Sequence, residues 1–368
     1  MRVLMTIAEM GSGGAETLVA ELATALGRSG HEVAVGSSGG WREEQLRGAR
    51  GVTCLRVPLR DPGPLSLGHS VARLAAQTHR SRPDVVHAHN VRASAVARLA
   101  VSRWPGQRPP MVTTVHGLAA EDYPRAARML RWSADLVVAV SDSVRTDLVR
   151  AGYPATRTRL IENAVARGER HRRDQVRASL DLPSSAFVAV CVARLAPPKR
   201  HDLLLEAWAR LGSSEPILLV VGDGPNSSSL RDAAEQLGIR HRVRFLGTRT
   251  DVARLHAAAD VAVLSSDREG LPLAVLEAME AGVPVVASDV GGLTGLGAAI
   301  ELVAPGSTMS LVAALEKLRV DLPRRAELAR AARASVSARF APEAMQAAYH
   351  SVYTHVRQAP AQQRGRRM

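Results

Sequence analysis

Seven residues separate Glu269 from Glu277, in the run SSDREGLPLAVLEAMEAGVPVVASDVGG (265–292). Between them lies a Gly270-Leu271-Pro272 turn. Proline suits the first position of a helix, where its missing N–H would have had no intrahelical partner. The bare N–H groups of that first turn, with the helix dipole, attract a phosphate. Gly270 lets a ligand approach the backbone closely, with Leu271 and Leu273 flanking the proline. Carboxylates accept paired hydrogen bonds from vicinal hydroxyls, so both glutamates are natural hydroxyl ligands. The set suits a sugar, a diphosphate and a ribose lying in line. A glutamate near a helix start also stabilises the dipole with no ligand at all. Two carboxylates, a Gly-Leu-Pro turn and a following strand, Val283–Ser288, together favour the binding reading.

Other groups fit the same chemistry. Arg194 and Lys199 closely follow the apolar run Phe187–Val192, so both belong at the end of a strand. A diphosphate leaving group gains negative charge as a glycosidic bond breaks, and fixed cations there act most strongly in the transition state. Two solvated surface cations are the plainer alternative. Gly11–Gly14 follows the first strand and opens a helix, placing backbone N–H groups toward an anion. It is not a full G-x-G-x-x-G, and a tight strand-to-helix turn explains it equally well. His87, His89 and His116 also follow strands. No third ligand stands near the His87/His89 pair, so metal binding is not favoured and these two read as structural histidines. The chain contains no Asp-x-Asp to hold a divalent ion on a diphosphate,. No cofactor and no metal are expected.

The elements that must position these groups alternate strand with helix. Val3–Ile7 is a short apolar strand, and Leu18, Leu22 and Leu26 then repeat along one helix face. Gly27 and Gly30 are expected to end that helix. Further strands are expected near Val33–Val35, Val52–Val57, Val85–His87, Val112–Val115, Leu136–Val140 and Arg159–Ile161. After a charged stretch the rhythm restarts at Phe187–Val192, with a helix at His201–Leu211. Strands follow at Ile217–Val221, Val243–Leu246, Val261–Leu264 and Val283–Ser288. Continuous apolar strands imply parallel sheets covered on both sides.

Length and composition bound the remaining possibilities. The 368 residues, 46% of them hydrophobic, can fill two cores,. Two cysteines are too few for a disulfide scaffold, which makes a reduced cytoplasmic protein the default,. No apolar run is long enough to span a bilayer, and the N-terminal run is too short for a signal peptide. The formal net charge is +13, with basic clusters at Arg167, Arg170, Arg172 and Arg173 and at Arg364, Arg366 and Arg367. A solvated basic face accounts for this, and peripheral contact with an anionic membrane is the alternative. With aromatics at 3% and no recognisable motif, nucleic acid is not an expected partner,.

The run from Glu269 to Glu277 resembles the E-x7-E signature of retaining nucleotide-sugar glycosyltransferases with the GT-B fold, glycosyltransferase family 4. GGAE (13–16), DVVHAHN (84–90), TVHG (114–117), ARLAPPKR (193–200), VVGDGP (220–225) and FLG (245–247) resemble the family's other segments, in its order. The resemblance covers roughly residues 1–350 and is most specific in the C-terminal half. It implies an α/β fold: two Rossmann-like doubly wound parallel-sheet domains facing across a cleft. Residues 1–165 would form the acceptor-binding domain, 166–183 a linker, and 184–341 the nucleotide-sugar-binding domain. A helix at about 342–356 would cross back to the first domain, and 357–368 would be a disordered basic tail.

The resemblance also implies roles. A hexose or amino-hexose would pass from a nucleoside diphosphate, with uridine favoured by family frequency, to an acceptor hydroxyl with retained configuration. The diphosphate would leave toward Arg194 and Lys199, and one of its oxygens would take the acceptor proton. Glu269 would hold sugar hydroxyls, Glu277 the ribose, and His116 another sugar hydroxyl. Gly13, Gly14, Gly222, Gly270, Leu271, Pro272 and Leu273 would line the donor, and Glu16 and Asn90 the acceptor. The acceptor is a small molecule, natural-product precursor or saccharide, chosen by loops near 58–69 and 117–124 (Pro62, Pro64, His69, Glu121, Asp122, Tyr123). Alternatives are transfer to a lipid-linked or cell-envelope saccharide, an epimerase on the same fold, a sugar-nucleotide sensor, and a membrane-recruited assembly factor. Two departures stand out. Ala164 replaces the Gly of an Asn-Gly pair, and Gly295 or Thr294 stands near the usual Glu in a shortened loop, which predicts altered donor affinity, altered donor choice or weak activity.

Overall fold

The computed structural model describes residues 1–358 apart from 62, 103, 105 and 213–215. Pro62 and all but the first two residues of the expected tail, 357–368, therefore lie outside the described residues; Arg357 and Gln358 end a helix, Pro342–Gln358. The chain divides into two compact units. Unit 1 comprises Met1–Asn163 together with the chain from Glu343 onward, and unit 2 comprises Ala164–Pro342.

Unit 1 is built on seven parallel strands: β1 (Arg2–Thr6), β2 (Glu32–Ser37), β3 (Val52–Arg56), β4 (Val85–Ala88), β5 (Met111–Val115), β6 (Leu136–Ala139) and β7 (Thr158–Leu160). Their order is β3-β2-β1-β4-β5-β6-β7. Every residue of β4, β5 and β6 is buried, although successive side chains point to opposite faces, so both faces of the sheet are covered,. The order reverses between β1 and β4, the switch point where an open α/β sheet leaves a crevice beyond its strand ends. The helix Gly14–Arg28 follows β1 and ends between Gly27 and Gly30, the two glycines expected to end it. Pro342–Gln358 packs on this unit through Tyr349 and Tyr353: the Tyr353 hydroxyl lies 2.7 Å from His87 Nδ1, and the Tyr349 hydroxyl 3.1 Å from Thr114 Oγ1.

Unit 2 has six parallel strands: β8 (Val188–Val192), β9 (Ile217–Val221), β10 (Val243–Gly247), β11 (Val261–Leu264), β12 (Val285–Ser288) and β13 (Glu301–Val303). Their order is β10-β9-β8-β11-β12-β13, which reverses between β8 and β11. Its core gathers Leu204, Trp208, Leu218, Val220, Val263, Leu311 and Leu315. Trp208 is fully buried and donates its indole N–H to the Pro216 carbonyl at 3.2 Å.

The stretch expected to be a linker, 166–183, differs in the structure. It contains a helix, Arg173–Ser179, anchored within unit 2. Glu280, on the helix Leu273–Ala281, accepts from Gly168 N at 3.2 Å and from Arg170 Nη2 at 3.0 Å. Arg177 is 4% exposed and donates to the carbonyls of Ala258, Ser184 and Ala186 and to Asp260. Charged residues that read as solvated are thus the fastening of this segment. Arg172 pairs with Asp174 and Arg173 with Asp260, so much of the basic cluster around 170 is engaged in ion pairs.

Candidate active site

The C-terminal ends of β8, β9, β11 and β12 carry most of the groups singled out in the sequence, and backbone contacts stitch their loops together. After β8 the chain turns at Ala193–Lys199. Leu195 N donates to Asp223 O at 3.0 Å and Asn226 N to Leu195 O at 3.0 Å, fixing that loop to the one after β9. Gly222 has φ +132°, and a Cβ there would collide with the Ala193 carbonyl. Only glycine permits both that conformation and that approach. Asp267 N donates to Pro198 O at 2.9 Å, and Ser265 Oγ to the carbonyls of Lys199 and Arg200 at 3.1 and 2.8 Å. These bonds join the loop after β11 to the loop after β8 across the switch point. The loop after β12 closes the group. Gly292 N donates to Gly270 O at 2.8 Å, and Gly291, with φ +55°, lies where any Cβ would strike the Glu269 carbonyl.

At the centre, Lys199 Nζ lies 2.5 Å from Glu269 Oε1. The same carboxylate oxygen accepts from Ser266 Oγ at 2.6 Å. The Glu269 side chain is 7% exposed and that of Lys199 25%, so this pair sits largely out of solvent. Arg194 is exposed, and no hydrogen bond or ion pair holds its guanidinium among the described residues. Pro272 is the N-cap of the helix Leu273–Ala281 rather than its first residue, so the leading N–H groups belong to Leu273 and Ala274. Those N–H groups have no carbonyl a turn earlier to bond. Leu271 and Leu273 are buried, and Glu277 follows on the same helix, half-buried. The arrangement presents an ammonium, a guanidinium, a helix N-terminus and two carboxylates on neighbouring loops, which is chemistry for an anion bearing hydroxyl groups.

Unit 1 holds the remaining candidates at its own strand ends. Gly13 is the N-cap of the helix Gly14–Arg28, and Glu16 stands in the first turn. Asn90 follows β4; its Oδ1 accepts from Ala93 N at 2.6 Å, so its side chain caps the helix Val91–Ala100. His116 follows β5 and stacks on His89, with ring centroids 5.7 Å apart. His89 in turn lies 4.0 Å from His87, whose Nε2 lies 2.8 Å from Thr114 Oγ1. Burial drives all three imidazoles toward the neutral form: His116 falls to about 4, His87 to about 3, and His89 well below its ordinary value. Among the described residues, no group of three or more His, Cys, Asp or Glu side chains could hold a metal ion, and no helix is long and apolar enough to cross a membrane.

Ser265 and Ser266 were not anticipated from the sequence, although they position Lys199 and Glu269. Their signal was present as two hydroxyls directly after a fully buried strand, where a side chain can bond the next loop's backbone. In the departing segment after β12, Thr294 Oγ1 donates to Asp289 at 2.6 Å and Arg339 to the Gly295 carbonyl at 2.7 Å. A short strand, β13, follows that segment and was not resolved in the sequence pattern.

Two doubly wound parallel-sheet units, one carrying cations and carboxylates at its switch point, are the architecture of the GT-B fold. Residues 12–167 match the model of "Glycosyltransferase Family 4", and residues 172–335 that of "Glycosyl transferases group 1". The chain belongs to this family of glycosyltransferases. It is 34% identical over 311 residues to a D-inositol 3-phosphate glycosyltransferase of Salinispora tropica, covering 74% of this chain but 64% of that relative's length. It is 27% identical over 308 residues to the N-acetyl-alpha-D-glucosaminyl L-malate synthase of Bacillus anthracis, covering 80% of each chain. Among solved structures, Anabaena HepE in complex with UDP-glucose superposes with a TM-score of 0.85 at 25% identity, covering 96% of this chain and all of that one.

Proposed function

We propose that this glycosyltransferase moves a hexose or amino-hexose from UDP to a hydroxyl of a small polar acceptor, with retained configuration and without a metal ion. The observation that carries the reading is the Lys199–Glu269 pair spanning the β8/β11 switch point, beside the exposed Arg194 and the helix N-terminus at Leu273. In this reading Arg194, Lys199 and the helix N-terminus neutralise the departing diphosphate, where fixed charge lowers the barrier most. Glu269 is held at one oxygen by Lys199 and Ser266, which orients the carboxylate toward sugar hydroxyls. Glu277 serves the ribose, and Gly222, Gly270, Leu271, Pro272 and Leu273 line the donor. In unit 1, His116 bonds a hydroxyl of the transferred sugar as a neutral imidazole. Gly13 and Gly14 serve the donor, and Glu16 and Asn90 the acceptor, Asn90 through whatever capacity its capping bond leaves.

UDP is favoured because HepE was crystallised with UDP-glucose, and a small acceptor because relatives are named for inositol phosphate and malate. The test is UDP release from a panel of UDP-sugars with inositol phosphates, malate and lipid-linked saccharides as acceptors, with and without chelator. Release with a small acceptor, unaffected by chelator, is expected. Failure of the folded protein to bind either UDP or GDP by calorimetry would overturn the reading.

A further inference from the structure

Unit 2 carries a second basic site, at the opposite end of its sheet from Lys199 and Glu269. Asp260 immediately precedes β11 and Phe187 immediately precedes β8. Beside them is a cavity of about 330 Å³ lined by Arg173, Arg177, Arg319, Arg325, Ser184 and Asp260 among others. The strands between the two ends run five and four residues. At about 3.3 Å per residue, the cavity lies on the order of 15 Å from the loops described above.

Its charge is unbalanced. Asp260 Oδ1 accepts from Arg173 at 2.7 Å and from Arg325 at 2.5 Å, and Oδ2 from Arg177 at 2.8 Å and from the Val188 N–H at 2.9 Å. Both oxygens are fully engaged. Arg319 pairs with Glu316 at 2.7 Å. Three guanidinium groups, those of Arg173, Arg177 and Arg325, thus converge on the single Asp260 carboxylate, leaving two positive charges in excess beside a polar cavity. Arg177 is structural, enclosed and bonded to backbone carbonyls on three sides. Arg173, Arg319 and Arg325 remain partly exposed, at 45%, 26% and 17% of their side chains. The Ser184 and Ser185 residues add hydroxyls to the same wall. Planar guanidinium forks and hydroxyls around a two-charge excess match a compact, oxygen-rich dianion.

We propose that this cavity binds a phosphate or diphosphate group, at a site separate from the one that would hold the nucleotide sugar. Bound there, the anion bridges the start of the helix Leu322–Arg339, the helix Arg173–Ser179 and the turn before β8, three segments that share the Asp260 carboxylate.

The test is calorimetric titration of the whole protein with pyrophosphate at fixed ionic strength, in three forms: wild type, Arg173→Gln/Arg319→Gln and Arg194→Gln/Lys199→Gln. The Arg194/Lys199 variant should keep a pyrophosphate site with affinity within about threefold of wild type, and the Arg173/Arg319 variant should lose that site by at least tenfold. Circular dichroism checks that both variants fold. Should the Arg173/Arg319 variant fail to fold, amide exchange on the wild type decides, with slowed exchange expected at Ser184–Phe187 on adding pyrophosphate. No pyrophosphate binding, binding abolished by the Arg194/Lys199 changes alone, or unchanged exchange at Ser184–Phe187 overturns the proposal.

Discussion

Removing the charge of Lys199 separates two functions that its position combines. The ammonium stands 2.5 Å from a carboxylate that is 7% exposed, while its own side chain is 25% exposed. The pair is too enclosed to be a surface bridge, which contributes about 0–1 kcal/mol. It is also too open for the full 3–5 kcal/mol cost of orphaning a buried charge. Glu269 keeps the Ser266 hydroxyl at 2.6 Å when the lysine is lost, which softens the penalty further. A destabilisation of about 2 kcal/mol is therefore expected for Lys199→Met, or roughly 4–8 °C in the unfolding temperature of a unit of this size. A thermal double-mutant cycle with Glu269→Gln should return a coupling of about 1–3 kcal/mol. The catalytic effect is distinct. A charge-assisted bond to the leaving diphosphate is worth about 1.5–3 kcal/mol, so kcat for UDP release should fall roughly 10- to 150-fold at temperatures where the variant is folded. Zero thermal coupling would show that the pair is an incidental contact, and an unchanged kcat would remove Lys199 from the chemistry.

Other outcomes follow from the same geometry. Arg194→Ala should leave stability within about 0.5 kcal/mol, because the side chain is exposed, yet lower kcat by about tenfold or more; an effect confined to the unfolding temperature would refute the leaving-group role,. Gly222→Ala should cost at least about 2 kcal/mol, since φ is +132° and the new methyl meets the Ala193 carbonyl; wild-type stability by denaturant titration would contradict this,. Asp260→Asn should destabilise unit 2 by about 3–5 kcal/mol, as three arginines lose their shared charge, again read by denaturation,. For unit 1, the imidazoles of His87, fully buried, and His116, half-buried, are desolvated to folded values near 3 and 4 against 6.5 when unfolded. The unfolded chain then binds more protons below pH 6.5, so stability falls as pH drops from 6.5 toward 4, by about 1.4 kcal/mol per pH unit for each such histidine. A denaturation midpoint flat across that window would show that these rings are not held neutral.

What the sequence disclosed and what it hid divide along the range of the interactions. The placement of Arg194, Lys199 and Glu269 at strand ends was legible because each stands a few residues beyond an apolar run, and a parallel sheet brings strand C-termini to one edge whatever the rest of the chain does,. Asn90 was visible as a polar residue before a helix, but the local pattern does not tell a cap from a ligand; the 2.6 Å bond to Ala93 supplies the capping role,. The segment 166–183 was misread for the opposite reason. Its charges look solvated in sequence, and their partners, Asp260 for Arg177 and Glu280 for Arg170, lie 83 and 110 residues away. β13 escaped because a three-residue strand beginning with Glu301 carries little apolar signal; that glutamate pairs with Lys317 and Arg324 instead. The same asymmetry bears on the altered loop after β12. The glutamate that the family resemblance leads one to expect there is absent from Gly291–Ala299, while Thr294 and Gly295 are tied down by Asp289 and Arg339. In the proposed function, a loop tied by Asp289 and by Arg339 of the helix Leu322–Arg339 offers the donor backbone and hydroxyl groups where that glutamate is expected. Any shift in donor preference should therefore follow from lost charge, and Thr294→Glu should alter the KM for the donor more than kcat.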